Sequence, residues 1–152
     1  LATGFNLGVL VTPTETTKIG IAYRSQIVHH LTGNTDFLNI TATPATQSKL
    51  VMPANVIVSL AQDVKQFTLL GELGFANWSS MRNTVITVNG FSAVTPNNWS
   101  NTYRFGLGGQ YHYSSYATWQ LGASVDTSPT SSSKRLPSLP MDRQIRVGGG
   151  LI

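Results

Sequence analysis

Residues 101–113 alternate between apolar and polar side chains, and this alternation limits most strongly what the chain can fold into. Because successive side chains of a strand point to opposite faces, the segment has two unlike faces. The apolar face carries Tyr103, Phe105, Leu107, Tyr111 and Tyr113, and the polar face carries Thr102, Arg104, Gly106, Gly108, Gln110 and His112. A polar face of charge and glycine behind an apolar face rich in tyrosine is typical of a transmembrane β-barrel, with lipid outside and a polar lumen inside.

Comparable alternation recurs along the chain, so the expected fold class is all-β: an antiparallel transmembrane β-barrel. The predicted strands are residues 4–11, 18–28, 50–61, 66–77, 82–88, 102–113, 117–125 and 143–152. Most of them reach the roughly 9–11 residues that a tilted strand needs to cross a bilayer.

The lengths of the connections provide a check, because short turns and longer loops lie at opposite ends of a membrane barrel. They alternate here only if residues 66–88 form one long strand, bent near Trp78 and extending above the membrane. The chain then has seven meander strands, with residues 29–49, 89–100 and 127–142 as extracellular loops.

The number of strands and the two ends of the chain indicate a piece of a longer protein. Seven is odd, whereas bacterial single-chain barrels have even numbers of strands. The chain also begins with Leu1 rather than Met and stops at Ile152 within a strand pattern. Residues 1–152 are therefore expected to form one partial β-barrel domain, an open sheet that does not fold stably alone in water.

Composition and motifs argue against several other functions. Charged residues make up only 11% of the chain, against roughly 25% in soluble domains. The net charge of +4 is spread without a basic run or a basic helix, so nucleic acid is not an expected partner. There is no P-loop and no cluster for a cofactor or metal, and the adjacent His29 and His30 point to opposite faces of a strand. An enzyme is the function least expected.

Four short motifs follow one another along the chain. They are Ala22-Tyr23-Arg24-Ser25 followed by Gly33-Asn34; Met52-Pro53; Ala76-Asn77-Trp78-Ser79; and Asp126, Ser128 and Pro129 followed by Arg135, Pro140, Asp142 and Arg143. In order and spacing these motifs resemble those of the FadL/TodX family, the outer-membrane transporters of long-chain fatty acids and aromatic hydrocarbons. The last motif is the most specific of the four.

The resemblance implies a fourteen-stranded barrel plugged by an N-terminal hatch domain, with this chain forming about the sixth to the twelfth strands. It implies passive transport of fatty acids or arenes across the bacterial outer membrane by a monomer in contact with outer-membrane lipid. The family places a basic residue for the fatty-acid carboxylate in the region that matches residues 94–101, where this chain has no Lys or Arg. Either the ligand is not a fatty acid, or its head group is held elsewhere.

Charged side chains that alternate to the inner face are the candidates for contact with substrate or hatch. They are Arg24, Glu72, Arg104, Asp126 and Arg146. The structural interpretation, which we favour, is a lattice of salt bridges that stiffens the barrel wall, because charges that point inward need partners of opposite charge. Trp99, in a predicted extracellular loop, is the candidate for first contact with a hydrophobic substrate.

Several other residues have a structural and a functional interpretation. For Asp142 and Arg143, a loop-anchoring ion pair with Arg135 is favoured over a gate. A girdle of aromatic side chains at the membrane interface accounts for most of Trp78, Trp99, Trp119, Tyr103, Tyr113 and Tyr116. Inner-face glycines leave room for a plug or a ligand, or allow close packing across a narrow lumen; they are Gly106, Gly108, Gly148 and Gly150.

Two alternatives to a transporter stay open. A structural or adhesive barrel with partner-binding loops and a sealed lumen predicts an inner face of interlocked charges without an apolar pocket. A soluble β-sandwich binding module predicts a second sheet face toward water and loops without the alternation of long and short connections.

Overall fold

The computed structural model describes residues 1–34, 44–130 and 142–152. They form eleven strands: β1 (Asn6–Thr14), β2 (Thr17–Arg24), β3 (Ile27–Asn34), β4 (Ala45–Met52), β5 (Asn55–Val64), β6 (Phe67–Ala76), β7 (Asn83–Val88), β8 (Phe91–Pro96), β9 (Thr102–Ser114), β10 (Ala117–Asp126) and β11 (Gln144–Leu151). One short 3₁₀ helix, Trp78–Met81, lies between β6 and β7. These ranges contain no helix with the length and apolarity to cross a bilayer.

Seven of the strands form one antiparallel sheet in the order β1-β2-β5-β6-β9-β10-β11. The predicted seven-stranded antiparallel meander is therefore confirmed. Two-residue turns join β1 to β2, β5 to β6 and β9 to β10, all at one edge of the wall, which we call the turn end. The longer connections leave from the opposite edge, the loop end, as the predicted alternation of connections requires.

The other four strands form a second antiparallel sheet, in the order β3-β4-β7-β8, from segments that the sequence assigned to loops or to longer strands. The predicted strand 18–28 is divided between β2 and β3, and the predicted strand 50–61 between β4 and β5. Pro53 explains the second break, because proline has no N–H to donate to a ladder. The predicted loop 89–100 contains β8, which turns back from β7 through Asn89 and Gly90, both with positive φ, as a type I′ hairpin turn requires.

The predicted bend near Trp78 is confirmed, because the 3₁₀ helix interrupts the chain there. The prediction that residues 66–88 form one extended strand is wrong. After the bend, β7 pairs with β4 and β8 instead of continuing the ladder of β6. What looked like a strand projecting above the membrane is thus part of a separate sheet.

Cross-strand register places the apolar side chains of the seven-stranded sheet in rows on one face. One row runs across all seven strands through Val9, Ile21, Val58, Leu73, Phe105, Val125 and Ile145. These side chains are at least 37% exposed, and in the described ranges Trp99 is the one apolar side chain that is buried. A soluble β-sandwich would bury such a face in a core, so the arrangement matches a wall whose apolar face meets lipid.

Candidate functional site

The inner face of the sheet carries a charged belt, formed by Glu72, Arg104, Asp126 and Arg146 on four adjacent strands. Arg104 Nε donates to Asp126 Oδ1 at 2.7 Å, and Arg104 also lies 3.6 Å from a carboxylate oxygen of Glu72. The other oxygen of Asp126 accepts from Arg146. Asp126 therefore bridges two guanidinium groups, and the two cations and two anions of the belt balance.

The belt has the contacts expected of a salt-bridge lattice. The Asp126 side chain is 20% exposed, whereas Arg104 and Arg146 are 38% and 50% exposed, so the guanidinium groups keep part of their hydration. Partly solvated pairs are weaker than buried ones, but a shared acceptor restrains two long side chains at once. The belt ties β6, β9, β10 and β11 together; direct contact of its residues with substrate stays a prediction.

Arg24, the fifth inner-face charge predicted from the sequence, does not join the belt. Register places it at the loop end of β2, opposite Asn55 of β5. Its side chain is exposed, and within the described residues it forms no ion pair.

Below the belt, toward the turn end, the inner face forms an open trough with a volume of about 680 Å³. The side chains that line it are small or aliphatic apart from the belt and one lysine. They include Leu10, Lys18, Gly20, Ala61, Leu70, Gly108, Gly122 and Gly148. An added Cβ at Gly148 would meet no atom within 4 Å, so the missing side chain leaves open space above the sheet.

A smaller cavity of about 240 Å³ lies on the loop-end side of the belt. It includes Ile57, Ala76 and Trp78 among its lining residues, and it shares Arg104 and Arg146 with the trough. The belt thus stands between two spaces that both have apolar walls. The interlocked charges agree with the sealed-barrel alternative, whereas the apolar walls agree with a transporter.

A second polar group, which the sequence reasoning missed, crosses the inner face near the turn end. Thr68 Oγ1 donates to Asp63 Oδ1 at 2.6 Å and lies 3.0 Å from His112 Nε2. The other ring nitrogen of His112 lies 3.1 Å from Thr118 Oγ1. Because Thr68 uses its proton toward Asp63, His112 Nε2 must donate to Thr68. The inward parity of His112 was visible in the sequence, but its partners come from two other strands, β6 and β10.

The Tyr23-Arg24-Ser25 motif fastens the loop end of β2 to the start of β1. Ser25 is 7% exposed, and its Oγ accepts a hydrogen bond from the Phe5 N–H at 2.8 Å. The Ser25 N–H donates to the Phe5 carbonyl oxygen at 2.9 Å. On the outer face the rings of Phe5 and Tyr23 lie 5.7 Å apart. These hydrogen bonds hold the two segments together at Ser25, directly after the end of β2 at Arg24.

Trp99, predicted to make first contact with substrate, is instead 6% exposed. Its ring packs edge-on against Trp78, with the centroids 5.4 Å apart. The nearby Asn97 is 5% exposed, and its amide donates to the Met81 carbonyl oxygen and to Thr84 Oγ1. A side chain enclosed in this way has no surface for an arriving ligand, so Trp99 fastens the connection between the two sheets.

The interfacial girdle needs a related correction. Trp78 and Trp99 pack on each other and are therefore not part of the girdle, whereas the remaining predicted members are well exposed. These are Tyr103 at 50%, Tyr113 at 68%, Tyr116 at 93% and Trp119 at 57%. Exposed aromatic side chains at the edges of an apolar face are what a bilayer interface favours.

The last motif holds the loop end of β10 against the start of β9. The Ser100 N–H donates to the Pro129 carbonyl oxygen at 2.7 Å, and Ser128 Oγ donates to the Thr130 carbonyl oxygen at 2.7 Å. Asp142 Oδ1 accepts from the backbone N–H of Arg143 at 2.7 Å. Arg135 and Pro140 lie outside the described residues, so the predicted ion pair with Arg135 stays a prediction.

Comparison with known proteins gives consistent matches along the whole chain. A family model described as outer membrane protein transport protein (OMPP1/FadL/TodX) matches residues 1–151. A putative outer membrane protein of Neisseria meningitidis serogroup B is 25% identical over an alignment 177 positions long, gaps included, which covers 97% of this chain and 38% of that protein.

Two solved structures share the fold. A FadL homologue of Pseudomonas aeruginosa superposes with a TM-score of 0.85 at 20% identity, over 97% of this chain and 39% of its own. The toluene transporter TodX of Pseudomonas putida superposes with a TM-score of 0.65 at 19% identity, over 96% of this chain and 39% of its own. The chain thus spans less than half the length of each of these relatives.

Proposed function

Because the chain belongs to the OMPP1/FadL/TodX family of outer membrane proteins, we propose that the full-length protein containing it carries hydrophobic compounds passively across the bacterial outer membrane. The chain is a β-barrel fragment of a bacterial outer membrane protein. Long-chain fatty acids and aromatic hydrocarbons are the proposed ligand classes. Further strands and a plugging domain, in the part of the protein beyond this chain, are proposed to complete the barrel.

The observation that carries this proposal is the trough on the inner face. Apolar molecules cross a water-filled pore poorly, and an apolar surface that replaces water stabilises them by about 25 cal/mol per Å² of buried area. Leu10, Ala61 and Leu70 supply such a surface, and the glycines beside them leave room for a bulky ligand. Such binding is non-directional, so it fits a route for ligands of varied shape.

The charged belt supports the same route. Asp126 forms ion pairs with both Arg104 and Arg146, so these guanidinium groups already have a protein carboxylate as partner. A neutral, self-satisfied belt adds rigidity without attracting ions into the lumen. The driving force in this proposal is the ligand gradient alone.

The second candidate, a structural barrel with a sealed lumen, draws support from the same belt, since interlocked charges brace a wall. It leaves the trough without a use. A transporter and a sealed barrel are therefore distinguished by whether a bulky side chain placed in the trough reduces uptake of the ligand.

Two adjacent glycines of β11 provide matched variants for that test. Gly148 lines the trough, whereas Gly149 points to the outer face, and neither position has an atom within 3.0 Å of an added Cβ. We would express the full-length protein in a bacterial strain lacking its own fatty-acid transporter and measure uptake of labelled oleate and toluene. Gly148→Phe is expected to reduce uptake, and Gly149→Phe to leave it near the wild-type rate.

The folded state of each variant would be checked by its heat-dependent migration on gels. Failure of the folded wild-type protein to raise uptake of either ligand would favour the sealed barrel. Equal uptake by both glycine variants would remove the trough from the route.

A further inference from the structure

Lys18 is the one trough-lining cation, among the residues the structure describes, whose charge no carboxylate balances. The other two cations that line the trough, Arg104 and Arg146, are matched by Glu72 and Asp126 in the belt. Lys18 is exposed and forms no ion pair with any described residue. The sequence reasoning passed over it, although it lies two residues before the inward-facing Gly20 and therefore shares its face.

The immediate neighbours of Lys18 on the inner face are uncharged. Its cross-strand partner is Ala61, and the same row continues through Leu70 and Gly108. The nearest inner-face acid by register is Asp63, one diagonal step away on β5, and its Oδ1 already accepts from Thr68 at 2.6 Å. An ammonium group therefore stands at one end of the trough, and the charged belt lies at the other.

We propose that Lys18 is the counter-ion for the carboxylate of an anionic amphiphile whose alkyl chain lies along the trough. This inference rests on the proposed transport function and names the head-group site within it. The belt row of Arg104 lies four residues along β9 from the row of Lys18, a distance of roughly 14 Å. An alkyl chain that starts at Lys18 meets glycine and aliphatic surface first, and then the row of Ser59, Glu72, Ser124 and Arg146, two residues along β9.

The chemistry of lysine suits a carrier that must release its ligand. The ammonium is a strongly hydrated point charge on a flexible stem, whereas an arginine fork holds a carboxylate through two hydrogen bonds. The stem of Lys18 can lie along the apolar wall while its head stays hydrated. Lys18 also lies near the turn end, which in outer-membrane barrels faces the periplasm, where the ligand leaves.

This site explains how an anionic ligand could be held although residues 94–101 contain no Lys or Arg. The belt is a poor competitor, because the charges of its two guanidinium groups are already balanced by Asp126 and Glu72. Arg24, the other inner-face cation without an ion pair in the described part of the chain, lies at the loop end of β2 and does not line the trough.

The test compares two ligands of equal chain length, oleate and the uncharged oleyl alcohol, with the full-length protein in the transporter-deficient strain. Lys18→Met keeps the apolar stem and removes the charge. We expect oleate uptake to fall roughly tenfold, the size of one lost charge-assisted hydrogen bond, and alcohol uptake to change less than twofold. Lys18→Arg should restore oleate uptake. Lys65→Asn removes a turn-end charge outside the trough, at a positive-φ position that Asn tolerates, and should change neither.

Three outcomes would overturn the inference. Unchanged oleate uptake in Lys18→Met would show that the charge is not used. An equal loss for oleate and alcohol would show that Lys18 instead pairs with an acidic side chain elsewhere in the full-length protein. A selective loss in Arg24→Gln but not in Lys18→Met would place the head group at the loop end.

Equilibrium binding of labelled oleate to the purified full-length protein separates this inference from the transport proposal. If the wild-type protein takes up neither ligand, transport fails. Selective loss of oleate binding in Lys18→Met would still support the head-group site, and equal affinity would reject it.

Discussion

The two sheets differ in how their faces divide apolar from polar side chains. In the seven-stranded sheet, β9 places Phe105 and Leu107 on one face and Arg104 and Gly106 on the other. In the four-stranded sheet, β7 and β8 pair Val85 with Val94 and Ile86 with Ala93 in consecutive rows, so apolar side chains lie on both faces.

The contrast is the one expected if the seven-stranded sheet crosses the bilayer and the four-stranded sheet lies outside it. A bilayer accepts few polar atoms, so a strand that crosses it needs one wholly apolar face. A sheet outside the bilayer needs only side chains that favour extended backbone, such as Val, Ile and Thr. Val85 and Ile86 point to opposite faces, yet they are exposed to a similar degree, 37% and 41%. The four-stranded sheet, which we call the loop-end sheet, is therefore stabilised by the hydrogen bonds between its strands and by its turns more than by an apolar layer.

The comparison predicts its largest effect for a charge placed on each sheet. Leu107, on the outer face of β9, is 77% exposed, and Val94, on β8, is 59% exposed. Arginine facing the middle of a bilayer costs roughly 2–4 kcal/mol of folding free energy. Exposed substitutions in water change it by less than about 0.5 kcal/mol. Leu107→Arg should therefore lower the free energy of unfolding far more than Val94→Arg.

Guanidinium unfolding of the full-length protein in phospholipid vesicles measures both variants. Equal losses would mean that the two sheets share one solvent, and the contrast drawn above would then be wrong.

The second effect concerns the inner face, where the belt braces the wall. Asp126→Asn keeps the shape of the side chain but leaves Arg104 and Arg146 without their shared carboxylate. Because both guanidinium groups are partly hydrated, we expect a loss of about 1–2 kcal/mol in the free energy of unfolding. Glu72→Gln, which weakens one contact of 3.6 Å, should cost less than about 0.5 kcal/mol.

The same unfolding experiment, repeated at low and high salt, tests this pair. Added salt should narrow the gap between the two variants, because it screens partly exposed charges. A gap that does not respond to salt would assign the loss to packing of Asp126 rather than to its charge.

The same contrast between the two sheets explains which parts of the fold could be predicted from the sequence. The alternation of Arg104 with Phe105 reflects a local rule of strands, so the seven-stranded meander and the inner position of the belt could be predicted. The loop-end sheet has no such two-faced pattern, and β8 and most of β3 were therefore assigned to loops. Its strands are joined by pairings such as Ser48 with Ile86, which lie far apart in the chain and have no local signature.

The candidate site was predictable only in part, for the same reason. The alternation of side chains placed Glu72 and Asp126 on the inner face. Only the register of β6, β9 and β10 shows that both contact Arg104. Trp99 was placed on the surface because it lies in a predicted extracellular loop, whereas its burial depends on contact with Trp78, some twenty residues earlier. Lys18 became informative only when the partners of the other cations were known.

The smallest predicted effect tests whether the loop-end sheet opens independently of the wall. Gly90 has a φ of +83° in the turn between β7 and β8, where an alanine side chain is strained. Gly90→Ala should cost about 1 kcal/mol locally and raise hydrogen exchange in β7 and β8 roughly fivefold, leaving exchange in β9 and β10 unchanged. Gly33→Ala, in β3 without positive φ and with no atom within 4 Å of the added Cβ, is the control and should not raise exchange. Faster exchange in β9 as well would show that the two sheets open together, so that the boundary at the Trp78–Trp99 contact is not a boundary of cooperativity.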